Sequence, residues 1–350
     1  MYSHGVSKTA VIGASGYTGA ELLRLLAQHP ELEVVHVTAA SNAGAAVDSL
    51  YPNLGRQYAG VTFEAFEPAT LEEGLDVAFV ALPHGESQRS MAALVERVAH
   101  VVDIGSDFRL PADTYREWYG EDHHAADLLP HFAYGLPELF RAEIRAYRHV
   151  ANPGCYPTAA VLALAPALAR GLVAPGGLVV DAVSGTSGRG RSLTAENLFA
   201  ESNESVSAYG LLRHRHTAEI ELALSAVAGE PVSALFTPHV VPMTRGILAT
   251  CYAHPAAAGL STAGLLDVYR DFYRDEPFVR VVDEPPPTKA TTGGNEVLVT
   301  VRFDERTGTV LALAAEDNLV KGAAGQAIQN ANLLLGLPEV TGLTAVGMMP

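Results

Sequence analysis

The stretch from Thr9 to Gly19 limits this chain more than any other. Thr9-Ala10-Val11-Ile12 reads as a short apolar strand, Gly13-Ala14-Ser15-Gly16-Tyr17-Thr18-Gly19 as a glycine turn, and Ala20 to His29 as a helix that stops at Pro30. Strand, glycine turn and helix in that order open a βαβ unit. The glycines allow a tight turn and let a pyrophosphate approach the backbone at the positive end of the helix. The spacing is GxxGxxG and not the commoner GxGxxG, so the surrounding pattern carries the argument. A second strand, Val34 to Thr38, follows at the expected distance, and no Asp or Glu ends it. Ala39-Ala40-Ser41-Asn42 stands where a carboxylate would hold a ribose 2′-hydroxyl. Small hydroxyl and amide groups there, Ser41 included, tolerate a 2′-phosphate, which predicts NADP(H) in preference to NAD(H).

One of only two cysteines lies in Asn152-Pro153-Gly154-Cys155-Tyr156-Pro157-Thr158, a turn that runs into an apolar, alanine-rich helical segment. Gly154 is expected to let the backbone bend, and Pro157 and Thr158 suit a first helical turn. The sulfur of Cys155 is therefore expected beside unpaired amide N–H groups and a positive dipole end, both of which favour the nucleophilic thiolate. Free cysteines are more often small buried apolar residues. Cys251, in the alternating stretch Gly246 to Ala253, fits that description.

At 350 residues the chain predicts two lobes, each with its own core. No run of about 18 uncharged apolar residues occurs, and residues 1 to 10 lack a signal-peptide pattern, so a cytoplasmic location is expected. Two distant cysteines make neither a disulfide framework nor a zinc site. Basic residues number 23 against 39 acidic ones, a net charge of −16, which argues against nucleic acid or anionic membranes as partners. Lysine occurs only at Lys8, Lys289 and Lys321, so arginine must supply local positive charge for an anionic substrate.

Strands over Asp76 to Leu82 and His100 to Ile104 alternate with the helical stretch Glu86 to Val98, as in a parallel, doubly wound Rossmann-type sheet. Pro83-His84-Gly85 and Ser106-Asp107-Phe108-Arg109 follow those strands, in the region where ligands gather. Arg109 is a candidate anion ligand, or a partner of Asp103 or Asp107 that ties the loop. Beyond Cys155, Leu178 to Val183 reads as a buried strand leading into Ser184-Gly185-Thr186-Ser187-Gly188-Arg189-Gly190-Arg191, a loop able to meet a ligand through its backbone or to stay mobile.

His214-Arg215-His216-Thr217-Ala218-Glu219 opens a helix from Thr217 to Val227, with Thr217 as the expected N-cap. His216 and Glu219 are three apart, so the carboxylate could orient the imidazole and raise its basicity. Either His214 or His216 is a candidate proton carrier. Alternating strands over Val232 to Val241, Gly246 to Ala253, Asn295 to Phe303 and Thr309 to Ala315 predict an antiparallel sheet with one covered face. Pro285-Pro286-Pro287 fits a rigid link, and Leu319 to Leu335 a closing helix of small residues.

Taken together, GASGYTGAELLRLL, ALPHGES, DIGSDFRL, NPGCYPTA, VSGTSGRGR, HRHTAEIE, PHVVPMTRGILAT and EDNLVKGAAGQAIQNANL resemble the N-acetyl-γ-glutamyl-phosphate reductases of the aspartate-semialdehyde dehydrogenase superfamily, over essentially the whole chain. The resemblance implies a Rossmann-type domain of residues 1 to 154 completed by 318 to 350. It implies a second α/β domain, 155 to 317, on a mixed or antiparallel sheet, as in glyceraldehyde-3-phosphate dehydrogenase. It further implies an acyl phosphate substrate, NADP(H), a thioester on Cys155, and a homodimer or homotetramer. Arg109, Asn152 and Ser184 are implied near the substrate, and Gly13, Ser15, Gly16, Tyr17, Thr18, Gly19, Ser41, Pro83, Gly185 and Asn318 near the cofactor. The sister aspartate-semialdehyde dehydrogenases place their histidine base after a glycine on a late strand. Ile247 holds that position here, which leaves the base to His214 or His216. Another phosphorylating aldehyde dehydrogenase, a non-enzymatic NADP sensor and a thiol redox switch are the competing readings.

Overall fold

A computed structural model describes residues 6–350. They form two compact units, residues 6–153 with Ala323–Thr344, and Gly154–Gly322 with Ala345–Pro350.

The first unit is a seven-stranded sheet built from β1 (Ser7–Ile12), β2 (Leu32–Ala39), β3 (Glu64–Ala65), β4 (Leu75–Val80), β5 (Val98–Asp103), β6 (Phe132–Tyr134) and β7 (His149–Ala151), in the order β3-β2-β1-β4-β5-β7-β6. Each pairing is parallel. β4 and the inner half of β1 are buried nearly throughout, as expected of strands covered on both faces. Helices α1 (Tyr17–Leu26), α2 (Val47–Leu50), α3 (Ser87–Arg97), α4 (Ala112–Tyr119) and α5 (Pro137–Ala146) connect the strands. The first helix starts three residues before the sequence predicts. Gly16 is its N-cap, and the glycine-rich residues expected in the turn supply its first turn. β6 and β7 escape the sequence reading because three-residue strands carry too few alternations to register.

In the second unit, β8 (Leu178–Ser184), β9 (Ser207–Ala208), β10 (Ala234–Val240), β11 (Ile247–Ala253), β12 (Val279–Val281), β13 (Val297–Asp304) and β14 (Thr309–Glu316) lie in the order β12-β13-β14-β11-β8-β10-β9. The sheet is mixed. β8 and β10 run parallel, as do β12 and β13, while β11, β14 and their neighbours pair antiparallel. β8 also corrects the expectation of a fully buried strand, since its residues alternate between buried and half-buried. Helices α6 (Cys155–Ala169), α8 (His216–Ala228) and α9 (Thr262–Phe272) pack on one face, and the short α7 (Phe199–Ser202) lies in the segment before β9. Buried from Tyr156 to Leu168, α6 has no polar face and forms the spine of this core.

The expected single closing helix is two pieces, a π-helical turn over Val320–Ala324 and then α10 (Gly325–Leu334). Within the first unit, α10 packs on α5. A π-turn is an uncommon insertion that is frequent at functional sites.

Candidate active site

Gly154 is the N-cap of α6 and Cys155 its first residue. No side chain caps this helix start, so its first amides face the sulfur end. Gly154 is in ordinary extended geometry (φ −69°, ψ 155°), which corrects the expectation that a glycine bend places the thiol. A carboxylate fixes the turn instead: the Gly154 N–H donates to Glu219 Oε1 at 2.7 Å, and Glu219 is 2% exposed. Thr158 closes the turn from the other side, its backbone N–H and hydroxyl both donating to Gly154 O, at 3.0 and 3.1 Å. A Cβ on Gly322, in the π-turn, would lie 2.7 Å from Cys155 Cβ and 2.9 Å from Glu316 Oε1. Only a glycine lets this backbone seat against the cysteine. Cys155 is partly exposed, whereas Cys251 is buried on β11 and burial pushes its thiol well above the usual range.

Helix α8 begins at His216, one residue before the predicted start, and Arg215, not Thr217, is the N-cap. Thr217 turns inward and is buried. The cap comes from an imidazole: the His216 N–H donates to His214 Nδ1 at 3.2 Å. His214 Nδ1 is thus an acceptor, which leaves the ring proton on Nε2. Burial first, and the Arg215 charge second, push the His214 pKa down to about 4. The ring sits among aromatics, with centroids 4.7 Å from His216, 5.3 Å from Phe236, 5.4 Å from Tyr209 and 6.0 Å from Tyr156. Tyr209 and Phe236 carry no signal in the sequence, because nothing in their local pattern ties them to the histidines.

The lowered His214 pKa has a thermodynamic consequence. Neutral in the fold down to about pH 4 but titrating near 6.5 when unfolded, His214 stabilises the native state above pH 6.5, and this contribution is lost as pH falls toward 4. His214→Asn keeps an acceptor for the helix start and removes the titration. Melting curves should show wild type losing stability relative to this variant between pH 7 and 5. A constant difference across that range would contradict the assignment.

The loop after β8 is anchored. Thr186 and Ser187 donate their N–H groups to Met243 O (2.9 Å) and Thr244 O (3.1 Å). Asn318 Oδ1 accepts from the Gly246 N–H at 2.8 Å while its Nδ2 donates to Ser187 Oγ at 3.0 Å. A Cβ on Gly185 would come within 2.8 Å of Thr244 and Arg245 backbone. Ser184 is 2% exposed and donates to Gly185 O at 3.1 Å. Asn318 is therefore a strut at the base of this loop, beside Ser187.

In the first unit, Gly13 has φ +79°, and a Cβ there would be 2.3 Å from Ala81 O, so the end of β4 presses directly on the turn. A Cβ on Gly19 would strike Ala14 Cα at 2.5 Å. Gly16 by contrast faces open space, with Gly13 O at 3.6 Å the nearest atom to such a Cβ. No side chain caps α1 and its first turn holds no acidic residue, so the amides of Tyr17, Thr18 and Gly19 suit a pyrophosphate. Two residues after β2 brace the turn, Asn42 Nδ2 donating to Ser15 Oγ at 3.2 Å and the Tyr51 hydroxyl to Ser15 O at 2.8 Å. Ser41 and Pro83 are exposed.

Arg109 is 9% exposed and donates Nη2 to Ile104 O at 2.8 Å. Asp107 ties the loop after β4, accepting from Gly85 N–H (3.0 Å) and the Ser87 hydroxyl (2.9 Å) and meeting His84 Nδ1 at 2.8 Å. Burial, reinforced by the Asp107 charge and opposed by Arg109, pushes the neighbouring Asp103 up to about 7. Asn152 is fully buried, its Nδ2 donating to Ala323 O at 3.3 Å and its Oδ1 accepting from Asn330 at 3.0 Å. The Asn152 side-chain amide is thus committed to hydrogen bonds within the first unit.

The arrangement is that of a semialdehyde dehydrogenase. Residues 8–147 match the family's NAD binding domain and residues 155–318 its dimerisation domain. The chain therefore belongs to the semialdehyde dehydrogenase family. Its relatives include the N-acetyl-gamma-glutamyl-phosphate reductases of Desulforudis audaxviator, 48% identical over 98% of this chain and 99% of the relative, and of Symbiobacterium thermophilum, 49% identical over 97% and 98%. Among solved structures, aspartate semialdehyde dehydrogenase II from Vibrio cholerae, complexed with ASA, aligns with a TM-score of 0.71 at 17% identity, over 94% of this chain and 98% of that one. The Candida albicans enzyme, solved with NADP, gives 0.68 at 17% over 95% and 99%. At that identity the structural likeness carries the fold alone.

Proposed function

We propose that the chain catalyses the NADPH-dependent reductive dephosphorylation of N-acetyl-γ-glutamyl phosphate to N-acetyl-L-glutamate 5-semialdehyde and phosphate, a step of arginine biosynthesis. The observation that carries this reading is Cys155 at the uncapped start of α6, on a turn held by Glu219 and in the same unit as two histidines.

Cys155 Sγ attacks the acyl carbon, the carbon–oxygen bond to phosphate breaks, and the acyl group is held as a thioester. The Cys155 N–H is the candidate donor to the oxyanion, a contact worth about 3 kcal/mol in other enzymes. Bound NADPH supplies the hydride that reduces the acyl carbon. When the carbon–sulfur bond of the resulting hemithioacetal breaks, the aldehyde leaves and the thiolate returns. His216 is the better proton carrier of the two histidines, because His214 Nδ1 serves the start of α8 and its ring stays neutral.

The Gly13–Gly19 turn, with Ser15 braced by Asn42 and Tyr51, holds the pyrophosphate, and Ser41 lies on the side of the 2′-phosphate. Residues 1–154 with 318–350 form the NADP domain in this reading, and 155–317 the catalytic domain. Arg109 is retained as an anion ligand in the first unit. The chain assembles as a homodimer or homotetramer. The half-open face of the second sheet supports this, with Val179, Leu235, Tyr252 and Leu311 on neighbouring strands pointing the same way. Among the described residues no helix is long and apolar enough to cross a membrane.

The test runs the reaction backwards. N-acetyl-glutamate semialdehyde, NADP⁺ and phosphate at alkaline pH should give reduced cofactor, followed by its absorbance, and prior alkylation of the thiol should abolish the signal. Equal turnover without phosphate, or after alkylation, would refute the phosphorolytic thioester route.

A further inference from the structure

The substrate carries two anions. One leaves from the carbon that Cys155 attacks. The other, the α-carboxylate, lies four carbon–carbon bonds away, on the order of 5 Å, and needs its own cation. Resting on the reaction proposed above, we propose that Arg189, stacked on Tyr209, binds the α-carboxylate and so sets the specificity for an acylamino acid over a simple aldehyde.

The argument lies within the second unit. The Arg189 guanidinium carbon stands 5.7 Å from the centre of the Tyr209 ring. The Tyr209 hydroxyl donates to the Tyr156 hydroxyl at 3.3 Å, and Tyr156 follows the cysteine directly. Tyr209 also stands edge to face with His214 at 5.4 Å. Arg189 is thus linked through the Tyr209 ring both to His214 and to Tyr156, the residue that follows the reacting cysteine.

Its guanidinium has no carboxylate oxygen within ion-pair distance among the described residues. Among the described residues its hydrogen bond runs from Nη1 to the backbone oxygen of Glu196, at 3.1 Å. Arg245, on the neighbouring turn, differs in having Asp317 at 3.4 Å. The planar fork of arginine matches a carboxylate through two parallel hydrogen bonds. The loop is also set in advance, since Asn318, Thr244 and Met243 hold residues 186–187 and Tyr209 holds the guanidinium. Burial pushes the Tyr209 pKa up to about 12, which keeps its ring a neutral platform at working pH.

Two aldehydes and two variants form the test, in the NADP⁺- and phosphate-dependent oxidation. N-acetyl-glutamate semialdehyde has the carboxylate, and 4-acetamidobutanal lacks it. Wild type should favour the first in kcat/KM by roughly 10- to 100-fold, the range of a hydrogen-bonded charge. In Arg189→Ala that preference should collapse to about threefold or less through a higher semialdehyde KM, with the KM for phosphate and the rate on 4-acetamidobutanal unchanged. Arg189→Lys should recover part of the preference. Retained discrimination in Arg189→Ala, or a rise in phosphate KM in its place, would overturn the proposal. A wild-type protein that oxidises neither aldehyde would overturn the reaction itself and the proposal with it.

Discussion

Cys155→Ser is expected to lower turnover by ~10⁴-fold or more, a barrier increase of about 5.5 kcal/mol, while NADP(H) binds as before. The size of the effect follows from what the helix start can and cannot do. A dipole end and unsatisfied amides bring a thiol to its thiolate near neutral pH, but they fall far short of ionising an alcohol. Serine would need a base to take its proton during attack, and of the two histidines His214 already gives Nδ1 to the His216 N–H. The seat itself is unchanged by the substitution. Gly154 N–H still meets Glu219, and Gly322 still packs against the Cβ of residue 155, so the variant should fold and melt as wild type does. Reverse-direction rates with semialdehyde, NADP⁺ and phosphate, paired with a direct measurement of cofactor affinity, check the claim. Turnover within tenfold of wild type would remove the sulfur from the mechanism.

The elements that carried periodicity were readable in the chain, and those that carried function were readable where geometry followed from neighbours in sequence. β1, β2, β4 and β5 stand out because buried parallel strands are apolar runs. The Gly13–Gly19 turn stands out because Gly13 needs φ +79° and Gly19 cannot accept a Cβ. Cys155 at the first position of a helix is local too. What the sequence left hidden is long-range. The partner of the cysteine turn, Glu219, lies 65 residues on, and its visible neighbour was His216, so the carboxylate read as an aid to the imidazole and not as the anchor of Gly154. Gly322 meets Cys155 only through a π-turn that no propensity announces. The helix start at His216 was misplaced by one residue because an imidazole, rather than Thr217, accepts from the first amide. Asn152 stands beside the cysteine in sequence, and within the first unit Ala323 and Asn330 take up its amide, contacts far along the chain that the motif does not announce.

Glu219→Ala should cost about 100-fold in kcat with little change in cofactor affinity. The Gly154 N–H that Glu219 accepts at 2.7 Å would be left buried without a partner, a penalty of roughly 1–3 kcal/mol, and the chain would relieve it by shifting the turn that carries Cys155. A displacement of about 1 Å at a reacting atom is enough for a loss of that order. Glu219→Gln separates this anchoring role from a purely electrostatic one. The glutamine side-chain oxygen still accepts from an N–H, so if geometry governs, the variant should retain most of the wild-type rate. If the carboxylate acts mainly through its negative charge on His216, glutamine should be nearly as damaging as alanine, and the pH profile of kcat should shift in both variants. Glu219→Gln close to wild type, Glu219→Ala about 100-fold down, and an unshifted pH profile together would identify the carboxylate as a positioning group for the sulfur. Equal damage in the two variants would overturn that role.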